Sequence, residues 1–182
     1  MDLLEGIQSR ASAVKLGEPA PTREHLDIIL RAGLRAPDHG RLKPWRFVVL
    51  EGDARSKLGD AMAALLQGKM PNATQAQLDA ERGKVLRAPT IVVVAARIAP
   101  GKIPEIEQVA AVAAGVQNMF LAANALGYGA MWKTGAAAYD AAVKTALGLQ
   151  PEDHIVAFLY LGTTVTPGKV VPPVLEDAII SR

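Results

Sequence analysis

The chain has 182 residues, enough for one domain with a sizeable buried core, and half of them are hydrophobic although only 4% are aromatic. Twenty Lys and Arg against 18 Asp and Glu leave a formal charge of +2, and the cations are scattered among acids. That is no nucleic-acid face, though it leaves room for a local anion site. Cysteine is absent and the three histidines lack paired spacing, which excludes disulfides, thiolate chemistry and the usual zinc motifs.

In chain order, residues 2–9 predict a short helix with Leu3, Leu4 and Ile7 on one face. The start carries no basic stretch followed by an apolar run, so a cytoplasmic setting is expected. Arg10-Ala11-Ser12 breaks the helical pattern. Thr22 is a candidate N-cap for a helix with the stripe Leu26, Ile29, Leu30 and Leu34, which Pro37 closes. The polar stretch 37–44 reads as loop. Trp45 to Leu50 alternates as a strand. Asp53 is expected to cap a helix reaching Gln67, and a mostly polar helix over 74–86 follows a loop. The stretch 68–86 is the least core-like part of the chain and the best candidate for a flap.

Thr90 to Ala96 is a Val-rich apolar run, hence a buried strand. A long helix is expected from near Pro104 to Leu126, and its Ala110–Gly115 cluster permits close approach of another element. Val109 to Trp132 holds no charge, yet Gln117, Asn118 and Asn124 near its centre favour a core helix over a membrane span. Gly127 and Gly129 end that helix, 129–133 reads as a short strand, and a helix over 140–147 stops at Gly148. His154 to Leu161 is another buried strand, and the stretch 163–182, with three prolines, is expected to pack on this subunit or a partner. About four strands interleaved with helices give an α+β layered domain. No G-x-G-x-x-G or P-loop supports a nucleotide fold.

With no nucleophile elbow and no metal cluster, a cofactor would have to carry any chemistry. Three groups could hold a planar anionic ligand. Arg10 and Ser12 offer phosphate donors, although an exposed helix-end arginine explains the tripeptide as well. Arg31, Arg35, His39, Arg41 and Lys43 gather at a helix end and its loop, more cations than the helix dipole accounts for. Trp132, Lys133 and Thr134 follow a buried strand, with Gly135 allowing close backbone approach.

These segments together resemble the FMN-dependent nitroreductase family: Arg10-Ala-Ser12, Arg35-Ala-Pro-Asp-His39, Lys43-Pro-Trp-Arg-Phe47, Leu126-Gly-Tyr-Gly-Ala-Met-Trp132-Lys-Thr-Gly135 and Phe158-Leu-Tyr-Leu-Gly162. Their order is most similar to its minimal, single-domain YdjA-like branch. The resemblance implies a single domain over 1–182: an α+β sandwich, a central mixed sheet flanked by helices, in an intertwined homodimer whose 163–182 tail packs on the partner subunit. It implies FMN as cofactor and NADH or NADPH as donor. Hydride would pass through flavin N5 to a nitroaromatic, quinone or similar small acceptor in a ping-pong sequence, with no catalytic side chain, metal, membrane or nucleic acid. By position, Arg10, Ala11 and Ser12 would contact flavin from one chain, Arg35 and His39 its phosphate and ribityl end from the other. Trp132, Lys133 and Thr134 would run along the ring. Larger members carry more cations here, where this chain has Ala11 and Val14, which implies a lower flavin potential. The same cations would also serve a dimeric protein that binds flavin or another anionic ligand without turnover.

Overall fold

The computed structural model describes residues 2–180; Met1, Ser181 and Arg182, the ends of the expected 1–182 domain and of its tail, lie outside the described residues. Six α-helices are α1 (Leu3–Ser9), α2 (Arg23–Gly33), α3 (Ala54–Lys69), α4 (Gln75–Arg82), α5 (Glu105–Ala125) and α6 (Ala141–Ala146). Five strands are β1 (Lys15–Gly17), β2 (Trp45–Glu51), β3 (Thr90–Ala96), β4 (Gly129–Lys133) and β5 (His154–Thr166).

Local chemistry sets most of these limits. The Thr22 hydroxyl accepts from the His25 N–H at 3.2 Å and so starts α2 as expected. Thr74 and Gln77 form a reciprocal capping box at the head of α4. Asp53, by contrast, precedes α3 without a side-chain cap bond, because its own backbone is already helical (φ −69°, ψ −18°) and the carboxylate cannot reach back. Gly127 and Gly148, at φ +86° and +73°, turn the chain after α5 and α6.

Buried β3 is the centre of the sheet, flanked by β2 on one edge and β5 on the other. The first half of β5 pairs with β3, and Phe158 lies opposite both Val93 and Lys133, so β4 takes the far edge of β5. The second half of β5 pairs with β1, Gly17 opposite Thr163 and Lys15 opposite Thr166. Two sequence expectations change here. β1 is a fifth strand, too short to show a pattern of its own, and residues 163–166 belong to a strand of this subunit rather than to a tail. Every pairing among the described residues is antiparallel, where the resemblance implied a mixed sheet. The reason lies in the connections: Glu51 ends β2 directly opposite Thr90, which starts β3, so the chain leaves and re-enters the sheet at the same end.

Alternation along β3 and β5 divides the core in two. Ile91, Val93, Phe158 and Tyr160 face Leu58, Val85 and Val143 on the α3/α6 side. Val92, Val94, Leu159 and Leu161 face Ile29, Val112, Val116 and Met119 of α2 and α5 on the other. A register shift at Val94/Ala95 puts Ile155 with the first set and Ala157 with the second. The molecule is thus an α+β sandwich, with one sheet between two helical layers.

Close backbone approach joins α2 to α5. A Cβ on Gly115 would sit 2.8 Å from the Gly33 carbonyl and 2.8 Å from Trp45 Nε1. Small residues in α5 make this approach possible, as the Ala/Gly cluster suggested. The helix is long and apolar enough to cross a membrane by composition, but one face packs on the sheet. Asn118 donates to the Ala32 carbonyl at 3.3 Å, and buried Gln108 clamps Ala99 and Ile103, so these amides have protein partners.

Apolar side chains at the ends of the chain find no such cover. Leu3, Leu4 and Ile7 of α1 are exposed, and so are Val171, Val174, Leu175 and Ile180 near the C-terminus.

Candidate functional site

Arg10, Ala11 and Ser12 link α1 to β1. Asp2 caps α1 by accepting from the Glu5 N–H, and the chain leaves helical geometry at Arg10 (φ −59°, ψ 123°). The Arg10 guanidinium rests 4.9 Å from the centroid of Phe120 on α5, a cation–π contact that holds a half-buried side chain in place. Just beyond, Ala13 N–H donates to the Ala130 carbonyl at 3.0 Å, tying this turn to the start of β4. Ser12 is exposed. Ala11 lines a cavity of about 220 Å³ with Tyr128 and Gly168, and a Cβ on Gly168 would meet the Ser12 carbonyl at 1.9 Å. Only glycine lets the tail pass there.

Arg35 and His39 follow α2. Arg35 is exposed and makes no ion pair among the described residues. His39 opens a 3₁₀ turn, and its Nδ1 lies 2.5 Å from Oε2 of Glu107 in the first turn of α5. A carboxylate only accepts, so Nδ1 is the donor in this contact. The loop is conformationally constrained: Gly40, Arg41 and Lys43 all have positive φ (73°, 54° and 52°), and the Asp38 carboxylate accepts from the Lys43 N–H at 2.7 Å.

Trp132, Lys133 and Thr134 close β4. Trp132 is not the core tryptophan its type suggests: it is 36% exposed, with its Nε1–H donating to the Val156 carbonyl at 3.0 Å. Lys133 and Thr134 are exposed, and Gly135 (φ +82°) turns the backbone away. Beside them opens a cavity of about 460 Å³. Its floor holds Met62, Leu65, Met131, Phe158 and Tyr160, and its rim holds Lys69, Lys84, Arg87, Lys133 and Glu81. Glu81 and Lys84 pair at 2.5 Å. Burial pushes the Tyr160 phenol above its usual range, the Arg87 charge pulls against that, and Glu81 adds to it.

Arg10–Ser12 and Trp132–Thr134 therefore stand at opposite ends of one strand, β4, about 13 Å apart at the usual rise per residue. Arg35 and His39 sit apart, at the α2–α5 end, and no hydrogen bond or ion pair among the described residues joins them to either group. Arg87, Lys84 and Lys69 were not candidates from the sequence, and Tyr160 figured there only inside Phe158-Leu-Tyr-Leu-Gly162. The flap segment 68–86 was the only pointer, and it does wall the cavity, through Lys69, Glu81 and Lys84.

Residues 7–163 match the sequence pattern of the Nitroreductase family. The chain is 42% identical, over 90% of its length and 88% of the relative's, to the Escherichia coli (strain K12) protein named "Putative NAD(P)H nitroreductase YdjA". It superposes with a TM-score of 0.81 on the crystal structure of a nitroreductase-like family protein from Bacillus cereus, at 27% identity, covering 100% of this chain and 96% of that one. A structure from Desulfovibrio desulfuricans, described as "a putative nitroreductase in complex with FMN", matches with a TM-score of 0.77 at 27% identity over 98% and 95% of the two chains.

Proposed function

The chain belongs to the nitroreductase family, and from that premise we propose that it is an FMN-dependent homodimeric oxidoreductase that uses NADH or NADPH to reduce small electron-poor acceptors. The observation that carries this reading is the layout of donors around β4. Arg10 and Ser12 lie at one end of the strand and Lys133 and Thr134 at the other, with both hydroxyls exposed. Those residues fit a ligand with a flat ring and a phosphate: hydroxyls and cations for the anion, and a backbone freed by Gly135 for the ring.

Arg35 and His39 complete the site from the second subunit. They are exposed, and no hydrogen bond or ion pair among the described residues ties them to the β4 groups of their own chain, which leaves them free for a partner's site. The exposed apolar side chains of α1 and of Val171, Val174, Leu175 and Ile180 supply the dimer contact, and the tail beyond Val170, once past its own Ser12, lies on the partner. A cytoplasmic setting suits a soluble sandwich whose long apolar helix is part of its core.

When bound, FMN would supply the redox chemistry, taking hydride from NAD(P)H and passing it to the acceptor in a ping-pong sequence. The chain's own part is orientation and electrostatics. Lys133 holds positive charge beside the ring, the turn at Gly135 sets the backbone N–H groups, and Arg10, Ser12, Arg35 and His39 anchor the phosphate and ribityl end. Trp132, fixed by its bond to Val156, keeps the strand end in place.

The test is direct. Purified protein should be dimeric and yellow, with absorption near ~450 nm that bleaches under nitrogen on adding NADH or NADPH. Protein that stays colourless and monomeric with added FMN refutes the reading, and colour without bleaching leaves a flavin binder without turnover.

A further inference from the structure

The first turn of α5 carries two acids, and each holds a histidine. Glu105 Oε1 lies 2.8 Å from His154 Nε2, and Glu107 Oε2 lies 2.5 Å from His39 Nδ1. Negative charge suits a helix N-terminus in both places, but only Glu107 reaches the loop after α2. That loop is held a second time. Buried Gln108 accepts from the Ala99 N–H at 2.9 Å and donates to the Ala99 and Ile103 carbonyls at 3.0 and 3.2 Å, which fixes the approach to α5. Ile103 then packs where Gly40 has no side chain, since a Cβ there would collide with Ile103 Cδ1. The His39–Arg41 turn is therefore set against α5 at two adjacent points.

With Nδ1 donating to Glu107, a ligand can meet only the ring's other nitrogen. On the neutral ring Nε2 is an acceptor, and on the imidazolium it is a donor. A hydroxyl satisfies either form, because it both donates and accepts. A fully ionised phosphate only accepts, so it satisfies the imidazolium alone. Charge points the same way. An imidazolium beside Glu107 makes a pair with no net charge, and a neutral ring leaves the pair negative, so neither draws a phosphate. Arg35, exposed and with no ion pair among the described residues, keeps its full charge for one.

We propose that Glu107 is a positioning residue of the flavin site: it presents His39 to a ribityl hydroxyl through Nε2 and leaves the phosphate to Arg35. The identity of the ligand rests on the flavin-dependent reading, whereas the commitment of Nδ1 rests on the Glu107 contact alone. His39 stays 67% exposed in one subunit despite that contact, so a flavin held by the partner has room to reach it. Glu107 itself touches no ligand in this role.

Two measurements on the full chain test this. The chain has only three histidines, so long-range proton–nitrogen NMR spectra of histidine-labelled protein resolve each ring. Neutral His39 should carry its proton on Nδ1 and lose that preference in Glu107→Ala; a parent ring protonated on Nε2 instead overturns the proposal. In the second measurement, protein freed of flavin is titrated with FMN and with riboflavin, which lacks the phosphate, and flavin fluorescence reports binding. Glu107→Ala should raise both dissociation constants by the same factor, about fivefold for one lost hydrogen bond. Glu107→Gln should restore most of that loss, because its amide oxygen still accepts from Nδ1. Glu105→Ala, which frees His154 instead, should change neither constant. Arg35→Ala should weaken FMN about tenfold and leave riboflavin as it was. A Glu107→Ala loss confined to FMN would give His39 to the phosphate and overturn the proposal. So would constants equal to the parent's, or a glutamine no better than alanine. A parent that takes up neither FMN nor riboflavin removes the flavin reading itself, and this role with it, whatever the tautomer.

Discussion

The α2–α5 contact can be tested by adding a single methyl group through Gly115→Ala. In an open helix this change stabilises by about 1 kcal/mol. Here the new Cβ would sit 2.8 Å from the Gly33 carbonyl and 2.8 Å from the Trp45 indole nitrogen. The first neighbour is backbone, so α2 itself must move. Overpacking of that kind costs about 3 kcal/mol at the upper end of its range, for a net loss of about 2 kcal/mol. Unfolding entropy near 60 °C is about 2.1 cal/mol/K per residue, or about 0.4 kcal/mol/K for this chain, so Tm should fall by about 5 °C at fixed protein concentration. Arg35 and His39 follow α2, so displacing that helix should also weaken FMN retention. Differential scanning calorimetry and flavin absorbance after gel filtration read the two effects. A Tm that is unchanged or higher would show that the helices have slack, and that Gly115 does not set their spacing.

Arg35→Ala should leave Tm within about a degree, because Arg35 is exposed and makes no ion pair among the described residues, yet raise the FMN dissociation constant about tenfold through loss of a phosphate contact. Unchanged flavin affinity would remove Arg35 from the site. Lys133→Gln should slow anaerobic flavin reduction by NADPH about tenfold or more in stopped flow, as loss of a placed positive charge does; an unaltered rate would leave Lys133 a surface residue. Tyr160 gives a pH signature. Its folded pKa is raised above the ordinary 10.0, so its contribution to stability is complete below about pH 10 and is lost as pH climbs through the raised value. Urea melts should show part of the parent's alkaline loss missing in Tyr160→Phe; identical pH dependence would contradict the buried, raised phenol.

Much of the fold was legible because its causes are local. The Val run of β3, the Thr22 cap, and glycines 127 and 148 fall where the periods and end signals place them. The proposed site residues stand out only as motifs, since Arg10–Ser12, Arg35, His39 and Trp132–Thr134 each look ordinary taken singly. What failed to show was anything that needs two distant segments. Lys15–Gly17 is a strand only because Thr163–Thr166 lies beside it. Leu3, Leu4 and Ile7 share one face in the helical pattern, but nothing in the pattern says that the face stays exposed.

By itself, then, the sequence determined the order and type of most elements and the absence of any thiol, because hydrogen-bond periodicity, capping and side-chain inventory act over a few residues. Tertiary structure alone decided the antiparallel register, the split of β3 into two cores, and the cavity where Met62, Arg87, Lys133 and Tyr160 converge. Those residues are far apart in the chain. Only the pairing of β4 with β5 alongside α3 brings them to the wall of one cavity.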